Sequence, residues 1–451
     1  MVKGYEQINA NNTDFLLKIV IDSNINCIFA AFKIGCIIMA RLIVRNIGPI
    51  KDIVLDLKKV NVFMGPQGCG KSTLAKIISF CSWLEKDSDA TGKAEAKGLV
   101  PLLTNYHRME GYFRRDSELA YIGEDVAFFY HFPEPLPLQW NSDDYNTSHF
   151  HEDEYIFHKV QRSVNPKVIY IPAERNFVSV VPNLQKYAEQ DDSLQSFVND
   201  WFAAKRAYTE QKPLKIEMLG ISYYYSNKTD SDIVVVDGQK LRLSQSSSGF
   251  QSVVPLMALL SYLSSTIYEE NKPFSPAENE QMREILSHVS SEATGDMEQK
   301  LIDRIKGFLQ GKLYTHTQFI VEEPEQNLFP NTQCDLMYHL LSCLNHGKNH
   351  RAVITTHSPY ILYALNNCLL ANIVKSDIPM GSELHVACAN VEIAPGDVAV
   401  WEIENGILKT YETGKEDGTI QDKDGLIRQN YFNNVMKDVM RDFSNLLVFK
   451  D

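Results

Sequence analysis

The chain has 451 residues, 44% of them hydrophobic, and a formal net charge of -13 at pH 7. At roughly 150 residues per domain it accommodates two or three domains, and its apolar share excludes wholesale disorder. The acidity excludes a globally basic nucleic-acid coat and leaves only a local basic groove open.

The first segment, with the apolar run "CIFAAFKIGCIIMARLIV", is interrupted by Lys33 and Arg41. Its uninterrupted part is short for a bilayer span, and it lacks the layout of a cleaved signal. Met39 directly precedes a domain-like stretch, so residues 1–38 are expected to be an upstream extension, with an amphipathic helix as the alternative. From Ala40 on, "RLIVRN" and "DIVLDL" are predicted strands joined by a turn at Gly48-Pro49. "VNVFMG" is a buried strand that runs into "GPQGCGKST", Gly65 to Thr73. "KSTLAKIISFCSWL" has helical spacing of apolar residues.

Strand, glycine loop and helix in that order form the context that gives G-x-x-x-x-G-K-S its meaning. Gly65, Pro66, Gln67, Gly68, Cys69, Gly70, Lys71, Ser72 and Thr73 are the candidate nucleotide-binding residues. Backbone N–H groups from Gly68 to Lys71 and the positive end of the helix suit phosphate oxygens. Lys71 would reach the terminal phosphates, and Ser72 would ligate Mg2+.

Residues 86–165 carry polar runs, an aromatic hairpin candidate ("AYIGEDVAFFYHF") and the patch "SHFHEDEY", and are expected to be an inserted lobe. His149, His151, Glu152 and Asp153 sit in a polar loop with no paired ligand cluster, so a surface loop is expected there and no metal site. The eight cysteines show no C-x-x-C pair or metal-like spacing and read as reduced cytosolic thiols.

The core resumes at "VIYIPAERN", where Glu174 and Arg175 stand just past a short buried strand. An ion pair holding a turn and a functional role are both open for them. A polar helical stretch near 183–208 is followed by strands around 214–243, with a hairpin turn at Asp237-Gly238. "LSQSSSGFQSVVPLMALLSYL" then places three serines and a glycine before a long apolar helix. A charged helical stretch over 272–310 leads to "HTQFIVEEPEQNLFP", in which Glu322 and Glu323 end a buried strand. Adjacent acids there carry a desolvation cost that a function would explain. Glu322 is expected in the Mg2+ shell, and Glu323 is expected to orient or deprotonate the attacking water. In "RAVITTHSPYIL", His357 follows another buried strand, where it could touch the terminal phosphate, and Ser358-Pro359 opens a helix.

The order of phosphate loop, serine-glycine signature, paired acids and histidine resembles that of ABC-type ATPases. Within them, "YIPAERN", "SSSGFQS", "VEEPEQNLFP" and "ITTHSPYIL" look like the OLD-like and AAA-15-type bacterial ATPases. The resemblance covers most of Ala40 to about Leu370. It implies an α/β P-loop NTPase fold of ABC type: a mixed sheet with flanking helices, an inserted lobe and a helical signature region. The expected segments are 40–85 and 313–371 for the two core parts, 166–312 for the core strand, hairpins and signature, and 372–451 for C-terminal strands and a helix.

The resemblance also implies a head-to-tail dimer around two ATP molecules, with Ser247, Ser248, Gly249 and Gln251 acting in trans. Lys71, Glu323 and His357 would then be catalytic, and Ser72 and Glu322 would hold the metal. Glu322 stands where aspartate is more common. No aromatic residue fills the base-stacking place of transporter motors, and Arg45 and Asn46 are the candidates near the base.

Related OLD nucleases carry a C-terminal Toprim domain. Fewer than one hundred residues follow His357 here, with predicted strands at "ELHVACANV", "VAVWEIENG" and "ILKTYET", a final helix in "LIRQNYFNNVMKDVMRDFSNLL" and no acidic triad. The chain is therefore expected not to cut nucleic acid itself. By resemblance it would be a cytoplasmic regulatory ATPase that works with a separately encoded effector, such as a nuclease or toxin, in bacterial anti-phage defence of the PARIS kind. An SMC-like DNA-maintenance ATPase is the alternative, disfavoured by the lack of long heptad arms and by the acidity. A transporter motor is disfavoured by the long insertion and the acidic pair, and no membrane partner is implied.

Overall fold

The computed structural model describes residues 40–85, 98–123, 126–131, 154–158, 165–181, 184, 192–269, 314–378, 386–411 and 417–450. The 1–38 extension, the polar run after residue 85, the His149–Asp153 patch and the 272–310 stretch lie outside the described residues.

Strands β1 (Ala40–Ile47) and β2 (Ile50–Leu57) form an antiparallel hairpin across Gly48-Pro49. β3 (Val60–Met64) is buried at every position and feeds the glycine loop and helix α1 (Lys71–Leu84). Helix α2 (Leu99–His107) precedes β4 (Phe113–Ile122), β5 (Val126–His131) and β6 (Glu154–His158). The aromatic hairpin is β4–β5, and β4 pairs with β1, so this part of residues 86–165 extends the main sheet.

β7 (Pro166–Ile171) is followed by the short helix α3 (Phe177–Val180) and by α4 (Ser193–Lys205), which Asp192 caps. Strands β8 (Leu214–Ile216), β9 (Ile221–Ser226), β10 (Ser231–Val236) and β11 (Gln239–Arg242) make a second, antiparallel sheet of four. Helix α5 (Ser248–Ser264) then carries Pro255 in its interior. The run Ser248–Tyr268 is long and apolar enough to cross a membrane, but 67% of it is buried inside the fold, as in a core helix.

β12 (His316–Glu322), α6 (Pro330–Leu344), β13 (Arg351–Thr356) and α7 (Pro359–Val374) follow, and then β14 (Val398–Glu404), β15 (Ile407–Leu408) and α8 (Tyr431–Leu447).

The large sheet has eleven strands in the order β6-β5-β4-β1-β2-β15-β14-β3-β13-β12-β7. Its β14-β3-β13-β12-β7 half is parallel, and its outer half is mainly antiparallel. The parallel strands are covered on both faces, which explains their near-continuous apolar sequences. On β3, Val60, Val62 and Met64 face one core with α4 to α7, whereas Phe63 faces the other core with α1 and stacks on Trp401 at 5.2 Å.

Two C-terminal expectations are corrected. The described part of "ELHVACANV", Val386 to Val391, forms turns and not a strand. Turn hydrogen bonds run there from Ala389 N to Val386 O and from Val391 N to Cys388 O, and Cys388 and Val391 are buried against the core of α6 and α7. The final helix starts at Tyr431, five residues later than the sequence pattern suggests, because Asn430 Oδ1 accepts from Phe432 N and Asn433 N as its cap. Gln421 and Ile427 form a β-bridge ahead of it. The fully buried Glu402 ties this segment to β14: it accepts from Tyr431 N at 2.8 Å and from Tyr411 Oη.

Candidate nucleotide-binding site

The loop between β3 and α1 is shaped by backbone conformations that favour glycine. Gly65 has φ 139°, and an added Cβ would stand 2.1 Å from the Ile403 carbonyl of β14. With a Cβ, Gly70, at φ 113°, would meet Ile50 at the start of β2. These contacts wedge the loop between β14 and the hairpin.

Lys71 folds back over the loop. Its Nζ donates to Gly65 O at 2.9 Å and Pro66 O at 2.8 Å, and lies 3.7 Å from Cys69 Sγ. Burial lowers its pKa, opposed by Cys69, Glu323 and Glu325. The amino end of α1 has no side-chain cap, a property it shares with α2, α3 and α6. Uncapped N–H groups at a helix start make an anion site. Gln67, Gly68 and Ser72 are exposed at its mouth.

β12 and β13 neighbour β3 on one side, so the residues after their carboxyl ends gather beside the loop. His357 Nε2 lies 3.5 Å from Glu323 Oε1. Burial, and secondly Lys71, lower the His357 pKa, which favours the neutral imidazole. Glu323 sits in the left-handed region at φ 42° and donates its N–H to Thr355 O at 2.9 Å. Few non-glycine residues adopt that backbone, and those that do concentrate where a side chain must be aimed.

Glu322 is 7% exposed, and its Oε1 has no hydrogen-bond partner meeting normal geometry. Burial raises its pKa, while the nearby Ser72 and Tyr170 hydroxyls favour the charged form. A buried orphan carboxylate oxygen beside a serine hydroxyl is the all-oxygen donor chemistry that a hard divalent cation takes.

The structure thus brings together Lys71, Ser72, Glu322, Glu323 and His357. Ser247, Ser248, Gly249 and Gln251 lie at the start of α5, and none of their hydrogen bonds reaches the loop. Ser247 Oγ accepts from Phe250 N, and Gln251 Nε2 donates to Ser244 O and Ser246 O. Ser247 and Ser248 are exposed, and a Cβ on Gly249 would come within 3.1 Å of Asn327 O.

Arg45 is committed to Asp52 at 2.9 Å and Glu118 at 2.7 Å, and Asn46 Nδ2 to Asp116 O. Both side chains bind the sheet, although the turn that follows them touches Gly70.

Glu325 is not among the residues that the sequence motifs mark. Its Oε1 accepts from His357 N at 2.6 Å and Thr356 Oγ1 at 3.0 Å, and so fixes the histidine's backbone. Its place as the third acid of "EEPEQ" is the available signal.

Glu322→Gln is expected to raise the unfolding midpoint of the nucleotide-free chain, since it removes a buried charge that Ser72 and Tyr170 only partly offset, worth about 1 kcal/mol, equivalent to on the order of 2 °C. The cost is present above the raised folded pKa and fades as pH falls from there toward 4.5. A lowered midpoint of the nucleotide-free variant in thermal scans at pH 7 would contradict the orphan-charge argument.

A glycine loop between a central parallel strand and a helix, beside strands that end in paired acids and a histidine, defines a P-loop type of α/β fold with a mixed sheet. No protein-family model matches the chain. Among solved structures it is similar to the SMC head domain from Thermotoga maritima, with 11% identity and a TM-score of 0.32 over 72% of this chain and 90% of that one. It is also similar to an Smc head domain with an extended coiled coil, bound to the C-terminal domain of ScpA, from Pyrococcus furiosus (8% identity, TM-score 0.33, 82% and 94% covered). A third is a dimeric post-hydrolysis ATP-binding cassette bound to ADP and phosphate (11% identity, TM-score 0.28, 82% and 97% covered).

Proposed function

We propose that the chain binds ATP with Mg2+ at the Gly65–Thr73 loop and hydrolyses it, using a composite site completed by a second copy. The observation that carries this reading is the convergence of Lys71, Glu322, Glu323 and His357 at the carboxyl ends of adjacent parallel strands. Lys71 leaves the Gly65 and Pro66 carbonyls for the terminal phosphates, and the free N–H groups at the start of α1 hold the others. Ser72 and Glu322 hold Mg2+, which when bound neutralises phosphate charge. Glu323 orients and deprotonates the attacking water, and His357, kept neutral, donates to the terminal phosphate. The exposed serines of α5 and Gly249 close over that phosphate in trans, joined by Gln251. Nucleotide state therefore biases assembly, because ATP contacts both copies and hydrolysis removes some contacts.

On the motif resemblance, this switch serves as the sensor of a separately encoded effector in bacterial anti-phage defence, in the cytoplasm.

Mixing variants tests the shared site. Lys71→Ala chains should neither bind nor hydrolyse ATP, and Ser248→Arg chains should bind it without hydrolysis. An equal mixture should recover activity, because half of the sites in a mixed dimer pair an intact loop with an intact signature. A mixture as inactive as its components would end the in-trans assignment, and ATP binding by Lys71→Ala would end the loop assignment.

A further inference from the structure

The geometry points to Arg175 as a positioning residue that ties the acidic turn after β12 to the amino-terminal turns of α5. The inference rests on the ATPase reading proposed above and extends it to how the two halves of the site are held in register.

Arg175 is completely buried, and among the described residues its guanidinium forms no ion pair within hydrogen-bond reach. Its N–H groups all go to backbone carbonyls. Nε donates to Ser252 O at 3.1 Å. Nη1 donates to Glu322 O at 3.1 Å and Glu323 O at 3.2 Å. Nη2 donates to Glu323 O at 3.1 Å and Pro324 O at 3.0 Å. Burial lowers its pKa to about 10, so the group remains charged at neutral pH. The fork spans two elements: the turn in which Glu323 is held at φ 42°, and α5 one turn beyond Gly249.

The sequence of α5 explains one outside donor beside Arg175. Pro255 has no N–H, which leaves the carbonyl of Gln251 without its helical partner. Ser179 Oγ fills that place at 3.0 Å. Arg175 and Ser179 thus stitch α5 at consecutive carbonyls, Ser252 and Gln251, while the same arginine holds the carbonyls of both acids. A displacement of Glu322 or Glu323 is transmitted to the end of α5 that carries Ser247 to Gly249, and the reverse holds equally. A lysine at this position would retain the charge but not the planar fork that reaches both elements.

The test is Arg175→Lys, compared with the parent in ATP hydrolysis and ATP-driven self-association. The expected result is a fall in kcat of roughly 100-fold, as for a misplaced catalytic group, with KM for ATP changed less than about threefold and self-association lost. A parent without ATPase activity would refute the function proposed above. An active parent matched by an equally active variant would refute the role of Arg175 alone.

If the variant does not fold, hydrogen exchange on the unaltered chain decides the matter at a concentration where it is monomeric. Adding ATP with Mg2+ should change the exchange of amides in 320–326 and in 250–256 together. A change confined to 320–326 would overturn the coupling.

Discussion

Glu323→Gln is expected to bind ATP as tightly as the parent and to hydrolyse it at least about 100-fold more slowly, the usual contribution of a positioned general base. The amide is nearly isosteric, so Lys71, Ser72 and the free N–H groups of α1 keep their phosphate contacts. The variant loses the ability to take a proton from water. It also loses the charge that faces His357 Nε2 at 3.5 Å. The backbone of residue 323 stays fixed by its N–H bond to Thr355 O and by Arg175 on its carbonyl. ATP should therefore persist, and self-association in ATP should strengthen because its contacts are not removed. Sedimentation with ATP and single-turnover hydrolysis measure both effects. Parental hydrolysis by this variant would remove Glu323 from its role and leave Glu325 as the next acid to test.

The second large effect is loss of stability in mild acid. His107 is 1% exposed, both ring nitrogens lack a hydrogen-bond partner, and burial, then Lys76, lowers its pKa to about 3. Its neighbours are the rings of Tyr106 and Tyr170. His316 is also lowered to about 3, by burial first and then by Arg351 and His350. Both are neutral when folded, while the unfolded chain takes up protons near pH 6.5. The sign follows from linkage: their stability is fully present above pH 6.5 and is lost as pH falls toward 3.

Between pH 6.5 and 5 each histidine removes about 2 kcal/mol, at roughly 1.4 kcal/mol per pH unit. Glu322 and Glu325 act in the opposite direction between their raised folded values and 4.5. Urea titrations at several pH values should give a steep slope that His107→Phe makes shallower by about one proton. An unchanged slope in that variant would show that His107 titrates alike in the folded and unfolded chain.

The sequence by itself determined what depends on a few neighbouring residues. The β3–loop–α1 unit was legible because the glycine conformations, the helix start and the lysine all lie within ten residues. The β1–β2, β4–β5 and β10–β11 hairpins were legible for the same reason: their turns and alternation are local. The run Val386 to Val391 misled because alternating apolar residues fit a buried turn as well as a strand.

Only the tertiary structure decided that the acids and the histidine stand beside the lysine. That placement depends on β3, which ends at Met64, lying beside β13 and β12, which begin only at Arg351 and His316, and strand order is set by long-range packing. Arg175 showed its role only when folded, because its partners are backbone carbonyls, which every residue carries and no sequence pattern marks.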